Sequence, residues 1–196
     1  MKISEKRCVV LDMDGTVYLG NIPIPGAVDF IKKNWEKLDF HFLSNNTSKA
    51  PDTYVKKLNG MGIPATLDLI LSPTTPLVDF LKENGIHTAY IVGNRDFCRD
   101  LASRMPELKQ QEEGAQAVIL AYDTELTYEK LSRSAILLEN HPEILFLATH
   151  PDKVCPSPEG PLPDVGSMLA LYKVATGREP QHIFGKPDPT VLQPLL

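Results

Sequence analysis

The chain has 196 residues, 42% of them apolar, and carries 20 Lys and Arg against 25 Asp and Glu, a net charge of -5. This length can bury a sizeable core, in one domain or in two small ones. The acidic balance and the lack of a basic stretch argue against nucleic acid as a partner. No segment approaches the roughly 20 apolar residues of a membrane span, so we expect no membrane partner either.

The three cysteines, Cys8, Cys98 and Cys155, are widely spaced and form neither a CxxC pair nor a cluster with histidines. We interpret them as reduced thiols, which is usual in the cytosol. The N-terminal sequence has too short an apolar run before its first acidic residues to be a signal peptide. The sequence therefore predicts a cytoplasmic protein.

The first part of the chain alternates strand and helix patterns. The apolar residues 9–11 predict a strand that is buried on both faces. The elements that follow are a helix after residue 26, a strand at 40–43, a helix at 51–60 and a strand at 69–71. This order is typical of an α/β fold with a doubly wound parallel sheet.

The alternation restarts at Thr75. The patterns predict helices at 77–83, 94–104 and 127–138, alternating with strands at 87–92, 117–122 and 144–149. The proline-rich stretch 151–163 is predicted to be an irregular loop, after which Asp164 caps a helix at 165–175. We interpret residues 75–178 as a second α/β unit, inserted into a first unit that consists of residues 1–74 and 179–196.

Polar side chains that could carry chemistry fall where predicted strands end. These residues are Asp12, Asp14, Ser44, Asn45, Asn46 and Lys186. In open parallel sheets the ligand crevice lies beyond the carboxyl ends of the strands, so we expect these side chains to converge. Two carboxylates, a hydroxyl, two amides and an ammonium suit a phosphate ester and a divalent metal ion.

The two aspartates could divide the work of phosphoryl transfer between them. Asp12 could attack phosphorus and form an aspartyl-phosphate, while Asp14 could protonate the leaving oxygen and later activate water. Lys186 would supply positive charge and Ser44 a hydrogen-bond donor. Mg²⁺ would reduce the repulsion between a carboxylate and the phosphate dianion.

Three segments carry a family resemblance: DMDGT at 12–16, FLSNN at 42–46 and GKPDP at 185–189. They resemble the first three motifs of the haloacid dehalogenase-like (HAD) phosphatases, most closely subfamily IIA, the NagD and 4-nitrophenylphosphatase-like branch. Residues 148–180 are also similar to the end of the cap that this branch inserts between its second and third motifs. The resemblance implies a Rossmann-like HAD core with a C2-type α/β cap at 75–178.

The resemblance also implies a role for each site residue. Asp12 would be the nucleophile and Asp14 the general acid/base, and the Asp12 side chain and the Asp14 backbone carbonyl would bind Mg²⁺. Ser44 and Asn45 would bind the phosphoryl group with Asn46 beside them, and Lys186 would steady nucleophile and phosphate. Substrates would be small phosphorylated metabolites, such as a nucleotide monophosphate or phosphoglycolate, and a homodimer through the cap is an open expectation.

One departure from the family pattern keeps alternatives open. The acidic fourth motif should follow the lysine motif, and the sequence ends at Leu196 without it. We therefore expect a chain truncated before that motif. The alternative to a phosphatase is a catalytically silent family member that acts, if at all, by interaction. A phosphorylatable switch is a further alternative, against which Asp14 and the long cap argue. His150 and Asp164 bracket the proline-rich loop, and we favour a structural role for each, with contact to a leaving group as the alternative.

Overall fold

Two parallel sheets, one of three strands and one of five, organise the computed structural model, which describes residues 7–196. Part of the stretch that was assessed as a signal peptide lies outside these residues. No helix within residues 7–196 has the length and apolar character needed to cross a membrane.

The elements around the smaller sheet are, in chain order, β1 (Cys8–Asp12), β2 (Tyr18–Leu19), β3 (Ile22–Pro23), α1 (Ala27–Asn34), β4 (Asp39–Leu43), α2 (Pro51–Gly60) and β5 (Ile70–Leu71). Those that follow are α3 (Thr74–Glu83), β6 (Thr88–Val92), α4 (Arg95–Arg104), β7 (Lys109–Gln110), β8 (Ala117–Leu120), α5 (Tyr128–Asn140), β9 (Leu145–Ala148), β10 (Val154–Cys155), β11 (Leu162–Pro163), α6 (Val165–Thr176) and β12 (His182–Ile183). Two 3₁₀ helices, Leu67–Leu69 and Pro189–Leu195, complete the described chain.

In the smaller sheet β4 lies between β1 and β5, and all three strands run parallel. Asp12 is paired with Leu43, so β1 and β4 end side by side. The polar residues that follow these two strands therefore meet at one edge of the sheet, as the sequence predicted.

The prediction that the first strand is buried on both faces is wrong. Val9 and Leu11 pack against a core cluster to which α1 and α2 contribute Ile31 and Leu58. The alternate residues face away from this cluster, and Val10 is 37% exposed. Successive side chains of a strand point to opposite faces, and the two helices cover only one of them.

The larger sheet has the strand order β12-β9-β8-β6-β7 and is parallel throughout. Helices α3 and α4 contribute Leu77 and Leu101 to one core cluster, and α5 and α6 contribute Leu138 and Tyr172 to a second cluster. All four residues of β8 are buried, as expected of a central strand with helices on both faces. The doubly wound α/β fold is thereby confirmed.

The chain returns from the larger sheet to the smaller one just before its end. β12 pairs with β9, so the larger sheet extends to residue 183. The inserted unit was predicted to end at residue 178. After this strand, Val191 packs on Leu43 and Leu71 of the smaller sheet. Lys186 lies on this return and is thereby brought to the edge where β1 and β4 end.

The proline-rich stretch is more regular than predicted. Its two-residue strands β10 and β11 pair in an antiparallel hairpin, with Val154 opposite Pro163 and Cys155 opposite Leu162. Strands this short show no alternation of apolar and polar residues, which explains why the sequence pattern did not reveal them.

Candidate active site

The turn that follows β1 presents Asp12 and Asp14 on either side of a buried residue, Met13. The Met13 carbonyl accepts hydrogen bonds from the N–H groups of Val17 at 2.9 Å and Tyr18 at 3.3 Å, which closes the turn. Gly15 has φ +88°, a conformation that strains other L residues. The sequence Asp-Met-Asp-Gly thus anchors one side chain in the core and leaves both carboxylates partly exposed.

Lys186 contacts the first of these carboxylates directly. Its ammonium donates a hydrogen bond to Asp12 Oδ1, and the two side chains are about one third exposed. The other oxygen, Asp12 Oδ2, accepts only a long hydrogen bond of 3.4 Å from the Thr16 hydroxyl among the described residues. One oxygen of Asp12 is therefore paired and the other is available to a further partner.

Asp14 lies in a less hydrated position. Burial raises the pKa of its carboxyl group above the usual value, Lys57 opposes this shift and the Asp12 carboxylate adds to it. A raised pKa favours the protonated form, which a general acid needs.

Lys57 was missed by the sequence reasoning. Its Nζ lies 3.4 Å from the centre of the Tyr18 ring, a cation–π contact. Burial lowers its pKa, and the Asp14 carboxylate works in the opposite direction. Lys57 follows the buried Tyr54 by three residues on α2, and this spacing could have placed it on the inner face of the helix.

Ser44 and Asn46 form a turn after β4. The buried Ser44 hydroxyl oxygen accepts the Asn46 N–H at 3.1 Å, so its own proton can be donated elsewhere. Asn46 Oδ1 accepts hydrogen bonds from the Ser48 N–H at 3.0 Å and the Ser48 hydroxyl at 2.7 Å. The Asn46 amide also donates to Cys155 Sγ at 3.5 Å, across to the proline-rich segment.

The Asn45 side chain ties three segments together. Its Oδ1 accepts the Lys186 N–H at 2.8 Å, and its Nδ2 donates to the Lys186 carbonyl at 3.2 Å and to Asp152 Oδ2 at 3.0 Å. The sequence predicted that Asn45 binds the phosphoryl group. Both N–H donors of the side-chain amide are engaged within the protein, one by the Lys186 carbonyl and one by Asp152. Binding of the phosphoryl group by Asn45 therefore stays a prediction.

One cavity of about 200 Å³ brings the predicted site residues together. Its floor consists of Asp12, Asp14, Ser44, Asn45, Asn46 and Lys186, and its roof of Asp152, Val154, Cys155, Pro156 and Asp164. The sequence reasoning did not assign Asp152, Val154, Cys155 or Pro156 to the site. Four larger depressions in the described part of the chain, of about 240, 380, 510 and 640 Å³, are not lined by Asp12, Asp14 or Lys186.

A buried chain of hydrogen bonds runs from beneath the floor to the roof. The Thr47 and Thr149 hydroxyl oxygens are 3.3 Å apart, and Thr149 Oγ1 lies 2.9 Å from His150 Nδ1. His150 Nε2 lies 2.9 Å from Asp164 Oδ1, which also accepts the Val165 N–H at 2.7 Å. Asp164 is therefore the predicted N-cap of α6, and His150 is fully buried.

The floor, rather than the roof, has the donor set that fits Mg²⁺. Asp12 Oδ2 is available, and the Asp14 carbonyl accepts no hydrogen bond from the rest of residues 7–196. These hard oxygen donors are the ones that Mg²⁺ prefers. His150, Asp152 and Asp164 offer ligand atoms within 4.8 Å of one another, but this set includes a histidine nitrogen, and His150 is bonded to Asp164 and Asp152 to Asn45.

Comparison with known proteins agrees with this geometry. The sequence model of the haloacid dehalogenase-like hydrolases matches residues 9–104. An acid sugar phosphatase from Staphylococcus saprophyticus is 32% identical over 192 residues, which are 97% of this chain and 73% of that protein.

Solved structures show the same relationship. The 4-nitrophenylphosphatase of Thermotoga maritima has a TM-score of 0.88 at 35% identity, covering 97% of this chain and 72% of its own. The glycerol phosphate phosphatase Rv1692 of Mycobacterium tuberculosis, solved in complex with magnesium, has a TM-score of 0.83 at 26% identity, covering 96% and 57%. NagD from E. coli K-12 has a TM-score of 0.80 at 23% identity, covering 96% of this chain and 74% of its own, and it shares the fold. The chain thus belongs to the haloacid dehalogenase-like hydrolases, in their NagD and 4-nitrophenylphosphatase-like branch of phosphoric monoester hydrolases.

Proposed function

We propose that this chain is a Mg²⁺-dependent phosphatase that hydrolyses small phosphomonoesters through an aspartyl-phosphate on Asp12. The observation that carries the proposal is the contact of the Lys186 ammonium with Asp12 Oδ1, in a cavity that also contains Asp14 and Ser44. Phosphoryl transfer depends mainly on positioning and on neutralising charge, and this cavity offers both.

The two carboxylates act in succession. An oxygen of Asp12 attacks phosphorus, and the bond between phosphorus and the leaving oxygen breaks as Asp14 donates its proton to that oxygen. Asp14, now ionised, takes a proton from water, whose oxygen attacks the phosphorus of the aspartyl-phosphate as the bond between phosphorus and the Asp12 oxygen breaks. Inorganic phosphate is released, and both carboxyl groups return to their starting states.

The remaining floor residues hold the phosphoryl group and the nucleophile. Lys186 places a positive charge beside Asp12 and the phosphoryl oxygens, and the Ser44 hydroxyl donates to one of these oxygens. Asn45 acts through Lys186, because its side-chain amide bonds to both the N–H and the carbonyl group of the lysine backbone. Asn45 is a positioning residue in this proposal.

The metal would be held by the Asp12 side chain and the Asp14 backbone carbonyl. When bound, Mg²⁺ supplies positive charge between the carboxylates and the phosphoryl oxygens. A relative solved in complex with magnesium supports the choice of this metal.

The unit built on the larger sheet would serve as a cap, with its roof residues facing the leaving group. The related acid sugar and glycerol phosphate phosphatases support a small phosphorylated metabolite as substrate.

Phosphate release from 4-nitrophenyl phosphate, with and without Mg²⁺, tests the proposal. We expect turnover that requires the metal and falls by about three orders of magnitude or more in Asp12→Asn. The matched control is Asp39→Asn, an exposed carboxylate at the opposite end of the sheet, which should keep wild-type activity. Absence of turnover in a folded, monodisperse sample would contradict the proposal and favour the catalytically silent alternative.

A further inference from the structure

The roof of the cavity is acidic. Its lining residues include the carboxylates of Asp152 and Asp164 and, among the described residues, no Lys or Arg. Asp152 Oδ2 accepts a hydrogen bond from Asn45, and Asp152 is the more exposed of the two. Asp164 is buried and held by two contacts, so it is the roof carboxylate with the better defined position.

Asp164 has one oxygen committed and one without a partner. Oδ1 lies 2.9 Å from His150 Nε2 and 2.7 Å from the Val165 nitrogen. Oδ2 accepts no hydrogen bond from the other residues in the described part of the chain, although the side chain is only 4% exposed. Oδ2 is not fully enclosed by protein, so it is open to the cavity that Asp164 lines, and a ligand in that cavity can donate a hydrogen bond to it.

His150 prevents this carboxylate from turning away. The ring is fully buried and is held at its other nitrogen by Thr149, which in turn contacts Thr47 beneath the floor. The Val165 N–H at the start of α6 fixes the same oxygen of Asp164. The free oxygen therefore has a set position relative to the phosphoryl site.

A fixed carboxylate at this position discriminates by charge and by hydrogen bonding. A hydroxyl group on the leaving group can donate to it, whereas a carboxylate on the leaving group is repelled and leaves Oδ2 unpaired. An ammonium group can also donate to Oδ2, and phosphoethanolamine therefore belongs among the test substrates. The cavity of about 200 Å³ has room for a phosphoryl group and a short chain.

We propose that Asp164, positioned by His150, makes this chain selective for phosphate esters of short, uncharged polyols over esters whose leaving group carries a carboxylate. This inference rests on the phosphatase function proposed above. It assigns Asp164 to recognition of the leaving group and His150 to positioning of Asp164.

A matched pair of substrates tests the selectivity. Glycerol 3-phosphate and 3-phosphoglycerate have the same chain length and differ by a hydroxymethyl group in place of a carboxylate. We expect kcat/KM of the wild-type chain to favour glycerol 3-phosphate by on the order of tenfold or more. Asp164→Asn, which can still cap α6, should reduce this ratio by a similar factor, whereas the exposed Asp79→Asn on α3 should leave the ratio unchanged.

His150→Asn separates positioning from a purely structural role. We expect it to raise KM for glycerol 3-phosphate while KM for 3-phosphoglycerate stays the same, since only the former uses Oδ2. Equal effects on both esters would show that His150 merely stabilises the fold and would overturn its assignment.

Three outcomes would overturn the selectivity. If the chain hydrolyses 4-nitrophenyl phosphate but shows no preference between glycerol 3-phosphate and 3-phosphoglycerate, the selectivity is wrong and the phosphatase function is retained. Faster hydrolysis of phosphoethanolamine than of glycerol 3-phosphate would identify an ammonium rather than a hydroxyl as the preferred donor. A folded chain that hydrolyses none of these esters would reject the phosphatase function and the selectivity together.

Discussion

Lys186 and Asp12, which are 174 positions apart in the sequence, form an ion pair at the edge of the smaller sheet. The aspartate ends β1, and the lysine lies where the chain returns from the larger sheet. Partly exposed pairs of this kind contribute little to stability, typically about 0–1 kcal/mol. The pair therefore matters mainly for the chemistry of the site.

Lys186→Met should separate activity from stability. We expect kcat/KM for 4-nitrophenyl phosphate to fall by about two to three orders of magnitude, because a positive charge beside the phosphoryl oxygens is lost. The melting temperature should change by no more than about 4 °C. Lys33→Met, on an exposed position of α1, provides the control. Unchanged activity would contradict the role assigned to Lys186.

Asn45→Ala should lower both activity and stability. The substitution removes three hydrogen bonds and leaves the Lys186 backbone and Asp152 without these partners. Unpaired groups in such a site cost about 1–3 kcal/mol, so the melting temperature should fall by at least about 2 °C, and kcat should fall with it. Asn84→Ala, which removes one exposed amide at the end of α3, should have little effect on either. Wild-type kcat in Asn45→Ala would be incompatible with a positioning role.

Gly185→Ala should also disturb the contact between Asn45 and the Lys186 backbone, this time by a change next to Lys186. A Cβ at this position would lie 2.6 Å from Asn45 Oδ1, 2.6 Å from His150 Cβ and 2.8 Å from the Thr149 carbonyl oxygen. Such overpacking typically costs about 1–3 kcal/mol, which urea denaturation can measure. Gly60→Ala is a suitable comparison, since nothing lies within 4 Å of its added Cβ. Equal stability of the two variants would show that the return segment can move aside.

The cysteines should differ in reactivity. Burial raises the pKa of the Cys155 thiol to about 11, and it raises the pKa of Cys98 as well, whereas Cys8 is exposed. Only about one Cys155 in a thousand would be a thiolate at pH 8, and this fraction rises with pH. Iodoacetamide should therefore label Cys8 first in the native protein, and Cys155 only slowly until urea is added. Mass spectrometry of timed samples would show the order, and early labelling of Cys155 would contradict it.

Much of the architecture could be predicted from local patterns. The apolar runs and caps indicated most helices and strands, and Asp164 is the N-cap that the sequence predicted. Convergence of Asp12 and Ser44 followed from the rule that parallel strands end at a common edge. Lys186 follows a strand of the larger sheet, and only the return of the chain brings it to that edge. The exposed face of β1 could not be predicted, because residues 9–11 are uniformly apolar and their burial depends on what packs against them.

The sequence by itself determined which chemical groups follow each strand, and their order along the chain is that of a phosphatase family. Only the tertiary structure decided which of these groups touch. The Asn45 amide bonds to Lys186 across 141 positions, and His150 bonds to Asp164 across 14. The first contact arises because the chain crosses from one sheet to the other and back, and the second because the β10–β11 hairpin brings the start of α6 back beside the end of β9. No local pattern predicts either path. The physical reason is that propensity and periodicity act over a few residues, whereas a binding site is assembled by packing between distant segments.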